Sequence, residues 1–248
     1  MRRVRVMRKR DPQLEPLDGV LVIDKPLEMS SARVVEIVRR HAQHARTGHA
    51  GTLDPLATGV LVLALGRATK AIDLLMATEK RYETDIDLSA FTTTDDREGE
   101  REEIAISTPP TLDAVRAALA RFVGTQLQSP PSYSAIHING RRAYALARSG
   151  EAVQPPPREV TLMEASVLAY GFPIARIALR TGKGFYVRSL ARDLGKALET
   201  GGHCATLRRT AVGPFTLQHA QTLDQLPNPL DESHLIPIES ALQLCGVL

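Results

Sequence analysis

Residues 48 to 60, Gly-His-Ala-Gly-Thr-Leu-Asp-Pro-Leu-Ala-Thr-Gly-Val, separate two apolar segments with three glycines and a proline, so neither a helix nor a strand runs through the whole stretch. Pro55 biases Asp54 towards an extended backbone, and Gly48, Gly51 and Gly59 permit tight turns or the close approach of another chain segment. Such a loop can hold its one carboxylate, Asp54, in a fixed pose. A single Asp before Pro in a Gly-rich loop is also an ordinary turn residue, and the loop chemistry leaves both readings open. The next carboxylate, Asp73, falls on the following predicted helix, so a paired-carboxylate glycosidase is not indicated locally.

Around this loop the hydrophobic pattern predicts short, irregularly alternating elements. Gly19 to Asp24 reads as a buried strand that Lys25-Pro26 ends, and Ser30 or Ser31 can cap a helix running through about Gln43. Val60 to Leu65 reads as a second buried strand, Ala68 to Ala77 as a helix and Tyr82 to Leu88 as an alternating strand. The stretch Thr92 to Ser107, rich in Thr, Asp and Glu, reads as an exposed loop. Leu112 to Phe122 has helical spacing. An Asn139-Gly140 turn leads to a short helix over Ala143 to Arg148, and Pro155 to Pro157 form a stiff connector. Val160 to Tyr170 and Ile174 to Arg180 alternate as a strand pair, and Val187 to Leu198 is a helix stopped by Gly201-Gly202. Strands in runs with irregular helices predict an α+β fold on a mixed or mainly antiparallel sheet. The expected organisation is a basic arm over 1–18, a catalytic domain over 19–215 with an insertion at about 123–158, and a short segment over 216–248.

Composition excludes several classes. A 43% hydrophobic content can build a sizeable core, no apolar run is long enough to span a membrane, and no signal peptide opens the chain, which predicts a cytoplasmic protein. Cys204 and Cys245 form no C-x-x-C pair, so neither a disulfide framework nor a thiolate zinc site is expected. The formal charge is only +3, but basic residues cluster in three stretches: Arg2 to Arg10, Arg33 to Arg46, and Arg180 to Arg209. Each stretch alone is compatible with a solvated surface; together they favour a polyanion partner.

Other constellations have bland explanations. His41, His44 and His49 lack a carboxylate or thiolate to complete a metal site, and the first two suit a helix end. Thr181-Gly-Lys-Gly184 lacks the spacing of a phosphate loop, which removes nucleotide hydrolysis. Tyr82, after Lys80-Arg81, is either strand filler or a stacking platform for an unstacked base. Arg188, two residues after Tyr186, is either a surface cation or a bidentate partner that keeps a buried carboxylate ionised.

The motifs in order resemble the TruB family of tRNA pseudouridine synthases. Gly48 to Gly59 is similar to its signature loop, Gly19 to Pro26 with Met29-Ser30-Ser31 to its opening strand and turn, and Lys80-Arg81-Tyr82 to its base-stacking motif. Pro131 to Arg148 is similar to its insertion, and Gly182 to Asp193 with Leu207-Arg208-Arg209-Thr210 completes a likeness spanning roughly 19–215. The resemblance implies the pseudouridine synthase fold, Asp54 as catalytic aspartate, Arg188 as its partner and Tyr186 at the reacting nucleotide. It further implies Tyr82 stacking on the target uracil, His49 packing against RNA, Leu207 lining the base pocket, and Lys25 among the substrate-binding residues. The implied substrate is uridine 55 in the T-loop of tRNA, handled by a monomer without metal, membrane or cofactor. A non-catalytic RNA-binding module is the alternative.

That chemistry suits sparse equipment. Isomerisation breaks a C–N glycosidic bond and makes a C–C bond at the same sugar carbon, so it requires neither a redox cofactor nor ATP. Asp54 either attacks C1′ or removes the 2′ proton, and both routes need it ionised. The chain departs from the family pattern at Ser89, where Gly is usual, at Thr93, where Asp is usual, and at His137, where Lys is usual, while Thr92, Thr94, Asp96 and Gly99 match. Too few residues follow Phe215 for the RNA-binding PUA domain of many bacterial members, and the arm over residues 2–10 is expected to replace part of its contacts.

Overall fold

A computed structural model describes residues 17–133, 137–138, 141–142 and 155–247. The first sixteen residues of the basic arm, the Asn139-Gly140 turn and the expected helix over Ala143 to Arg148 lie outside the described residues. Backbone contacts divide the chain into two compact units, one of residues 1–78 with 209–248 and one of residues 79–208.

In the first unit, β1 (Gly19–Lys25) pairs antiparallel with β3 (Ala57–Leu65), from Gly19 opposite Leu65 to Lys25 opposite Gly59. The strand β3 starts three residues before the apolar run, and its pairing with β1 extends to Gly59. A short β2 (Thr47–His49) lies along the same end of β3. Ser30 caps α1 (Ser31–His41) as its spacing predicts, accepting from the Arg33 amide at 3.2 Å, and left-handed Gln43 and His44 end it. The helical pattern after Gly66 splits into a 3-10 turn, Gly66–Ala71, and α2 (Ile72–Ala77). Val20, Val22, Val60, Val62, Leu75, Val212 and Phe215 form a shared core, each aliphatic burial worth about 1.5–3 kcal/mol. The final segment joins this unit: Val20 and Ile236 exchange backbone hydrogen bonds at 2.8 Å, and α5 (Ile238–Leu244) brings Ala241 to the core.

The second unit is a run of antiparallel strands. β4 (Lys80–Asp87) pairs with β11 (Ile174–Thr181), β11 with β10 (Arg158–Gly171), and β10 with β7 (Gly124–Gln128). The β10–β11 hairpin is the one that the alternation predicts. Thr111 caps α3 (Leu112–Ala120), and α4 (Val187–Ala197) buries Leu190, Ala191 and Leu194. Left-handed Glu199, rather than the predicted Gly201-Gly202, turns the chain after α4; Gly201 stands against the Ala90 main chain, where any Cβ would collide, so packing requires glycine there.

Residues 92–107 are largely exposed, as their composition predicts, but they are not wholly a loop, and Thr92 and Asp96 are buried. β5 (Ala90–Thr92) pairs with β6 (Arg101–Glu103), and between them Asp96 is buried. β8 (His137–Ile138) pairs with β9 (Arg141–Arg142), and β12 (His203–Val212) precedes the short β13 (Phe215–Thr216). The α+β class with a mainly antiparallel sheet arrangement is therefore the observed one. No helix among the described residues is long and apolar enough to cross a membrane.

Candidate active site

In the first unit the loop around Asp54 is clamped from several sides. Ser31, the hydroxyl not used for capping, accepts from the Leu53 amide at 2.8 Å and donates to the Leu53 carbonyl at 2.9 Å. The Asp54 carbonyl closes a turn by accepting from the Ala57 amide at 3.1 Å, and the side chain is half-buried. Lys25 is 0% exposed. Its ammonium donates to the carbonyls of Met29 at 2.5 Å, Pro26 at 2.9 Å and Pro55 at 3.4 Å. All three donors thus serve backbone, so the contribution of Lys25 runs through the shape of the loop. Burial pulls the Lys25 ammonium down from 10.5 to about 8; the negative charge of Asp54 opposes this and the positive charge of Arg209 adds to it.

Arg209, 2% exposed, enters the same loop. Its Nε donates to the Val60 carbonyl at 2.7 Å, and its two terminal nitrogens donate to Gly51 at 3.1 Å and Thr52 at 3.4 Å. Gly59, at φ +99°, lies so close to the Arg209 main chain that a Cβ would overlap it. His49 sits in β2 opposite Leu63, half-buried.

The second unit carries the aromatic residues and Arg188. Tyr82 lies on the inward face of β4 with Lys80, Thr84 and Ile86, opposite Leu179. Leu207 is buried on β12. Tyr186 is the residue before α4, fixed by reciprocal bonds with Gln128: its amide donates to Oε1 at 2.8 Å and its carbonyl accepts from Nε2 at 3.0 Å. The Arg158 guanidinium lies 5.6 Å from its ring centre. Arg188 is buried and donates to the Thr94 carbonyl at 3.1 Å, the Tyr133 carbonyl at 2.9 Å and Asp96 Oδ2 at 3.0 Å.

The sequence offers Ser31 only as a helix cap and gives no individual role to Arg209, Gln128 or Asp96. The doubled Ser30-Ser31 was a usable signal, since one hydroxyl suffices for the cap. For Asp96 the signal was its match, with Thr92, Thr94 and Gly99, to the family pattern. The basic stretch Arg180 to Arg209 also proves less available to a polyanion than its composition predicts. Arg188 and Arg209 are buried, Arg192 pairs with Asp95 at 2.8 Å, and Arg180 pairs with Glu79 at 2.9 Å and with Glu164 at 2.5 Å. Part of that charge is structural because buried carbonyls and carboxylates needed donors.

The geometry has parallels among known proteins. Residues 39–187 match the pattern described as TruB family pseudouridylate synthase (N terminal domain), and residues 188–243 that of the tRNA pseudouridylate synthase B C-terminal domain. The tRNA pseudouridine synthase B of Nocardia farcinica is 49% identical over 222 residues, covering 86% of this chain and 71% of the relative. That of Thermobifida fusca is 46% identical over 217 residues, covering 84% and 74%. A solved Cbf5-Nop10-Gar1 complex contains a chain that superposes with a TM-score of 0.71 at 25% identity, covering 95% of this chain and 68% of that one. With the fold, the signature loop and the later motifs in agreement, the chain belongs to the TruB family of pseudouridylate synthases.

Proposed function

We propose that the protein is a tRNA pseudouridine synthase that isomerises uridine 55 of the T-loop. The N1–C1′ bond of the uridine breaks, a C5–C1′ bond forms, the C5 hydrogen leaves to water and N1 takes a proton, so the reaction is redox-neutral. The observation that carries this reading is the carboxylate of Asp54, held in a loop braced by Ser31, Lys25 and Arg209. A fixed carboxylate beside C1′ or the 2′ hydrogen of an extruded nucleotide is the reactive group the isomerisation needs.

The remaining roles extend the family likeness to this chain. Arg188 is the charge partner of Asp54, Tyr82 stacks on the flipped uracil, Tyr186 meets the reacting nucleotide, Leu207 lines the base pocket and His49 packs against the RNA. Unstacking the base costs a few kcal/mol, and an aromatic stack returns about 1–3 kcal/mol. The detached uracil must stay bound while it turns, which is the physical reason for pairing one acid with an aromatic platform.

The test uses T-arm RNA tritiated at uracil C5. Wild-type protein should release tritium to water, and Asp54→Asn should retain RNA binding while release stops. A wild-type protein that binds the RNA without releasing tritium would instead be a binding module.

A further inference from the structure

Three side chains brace the Asp54 loop, and they do so differently. Ser31 holds residue 53 and Lys25 holds residue 55, each on one side of the carboxylate. Arg209 reaches both arms, through Gly51 and Thr52 before Asp54 and through Val60 after it. Those arms leave ordinary backbone geometry at Gly51 (φ +104°) and Gly59 (φ +99°), the two places where the chain turns to present Asp54. Gly59 also packs directly on the Arg209 backbone.

We propose that Arg209 is the positioning residue of the Asp54 carboxylate, its planar guanidinium fixing the width of the loop by joining the carbonyls of residues 51, 52 and 60. The guanidinium is suited to this because its donors leave a rigid plane in set directions, matching three carbonyls at once. An ammonium carries the same charge on a flexible stem and lacks that fork. Arg209 also lies within electrostatic reach of Lys25, which itself feels Asp54, so the two cations and the acid share one neighbourhood. Arg209 acts through the loop, and a misplacement of about 1 Å in a reacting group can cost about 100-fold in rate.

This inference rests on the proposed function, and the experiment separates the two. Single-turnover tritium release from T-arm RNA is measured for the full chain, Arg209→Lys and Arg209→Ala, beside RNA dissociation constants and thermal melting. Arg209→Lys should melt cooperatively, bind RNA within about threefold of wild type, and turn over about 100-fold more slowly. Arg209→Ala should be slower still and recover part of its rate in millimolar guanidinium, which a purely structural role does not predict. If Arg209→Ala does not fold, Arg209→Lys decides the matter. A folded Arg209→Lys protein with a rate within threefold of wild type overturns the inference, as does a loss found wholly in RNA affinity. An inactive wild type would overturn the functional reading instead.

Discussion

Arg188 and Asp96 form an ion pair at 3.0 Å with side chains only 5% and 3% exposed. The second oxygen of Asp96 accepts from the Thr94 hydroxyl at 2.6 Å and the Glu98 amide at 3.0 Å. Arg188 also donates to the carbonyls of Thr94 and Tyr133. The pair is thus desolvated on both sides and hydrogen-bonded on both sides, the condition under which losing one member leaves a costly buried charge.

Removing Asp96 should therefore be severe. Asp96→Ala is expected to lose about 3–5 kcal/mol of stability in urea denaturation at neutral pH and to reduce tritium release sharply. An unchanged urea midpoint together with normal turnover would show that Arg188 does not depend on this partner.

Lys25 should impose an alkaline pH dependence on stability. Its folded value of about 8 lies below the ordinary 10.5, so between these limits the unfolded chain binds more protons and stability rises with pH. Measured against Lys25→Met, wild type should gain up to roughly 3 kcal/mol from pH 8 to 10.5, with a flat difference below pH 8. Parallel stability curves over that range would refute the assignment.

Gly59→Ala combines a left-handed backbone with a direct overlap on the Arg209 main chain. The strain alone is of order 1–3 kcal/mol, and the displaced strand should add to it. Thermal denaturation of the variant should show a clear drop in midpoint; a value matching wild type would mean that the loop has room it is not seen to have.

Asp87 supplies the acid-side counterpart. Burial favours its neutral form, but the Ser89 hydroxyl and amide, His203 and Arg101 outweigh this and hold the carboxyl below 3.8. A depressed folded value contributes stability above the unfolded one and loses it as pH falls through the folded one. The penalty of Asp87→Asn should be full at pH 7 and shrink below about pH 3.8. Chemical denaturation at pH 7, 5 and 3 checks this, and a penalty constant across the three would sink it.

Elements whose causes are local were legible before any coordinates. The Ser30 cap, the alternation of Val160 to Tyr170 and the glycines around Asp54 each act within a few residues, so spacing alone located α1, β10 and the loop. The family motifs named partners in kind without their geometry. Tertiary structure decided which polar groups are internal. Asp96 lies in a stretch whose composition reads as solvent-facing, and its burial is offset by local bonds from Thr94 and Glu98 together with the charge of Arg188, 92 positions along the chain. Arg209 reads as one cation among several until its guanidinium meets carbonyls 149 to 158 positions away. Local propensity depends on neighbouring residues, whereas the cost of burying a charge depends on what folding brings beside it, and that is settled only when distant segments pack.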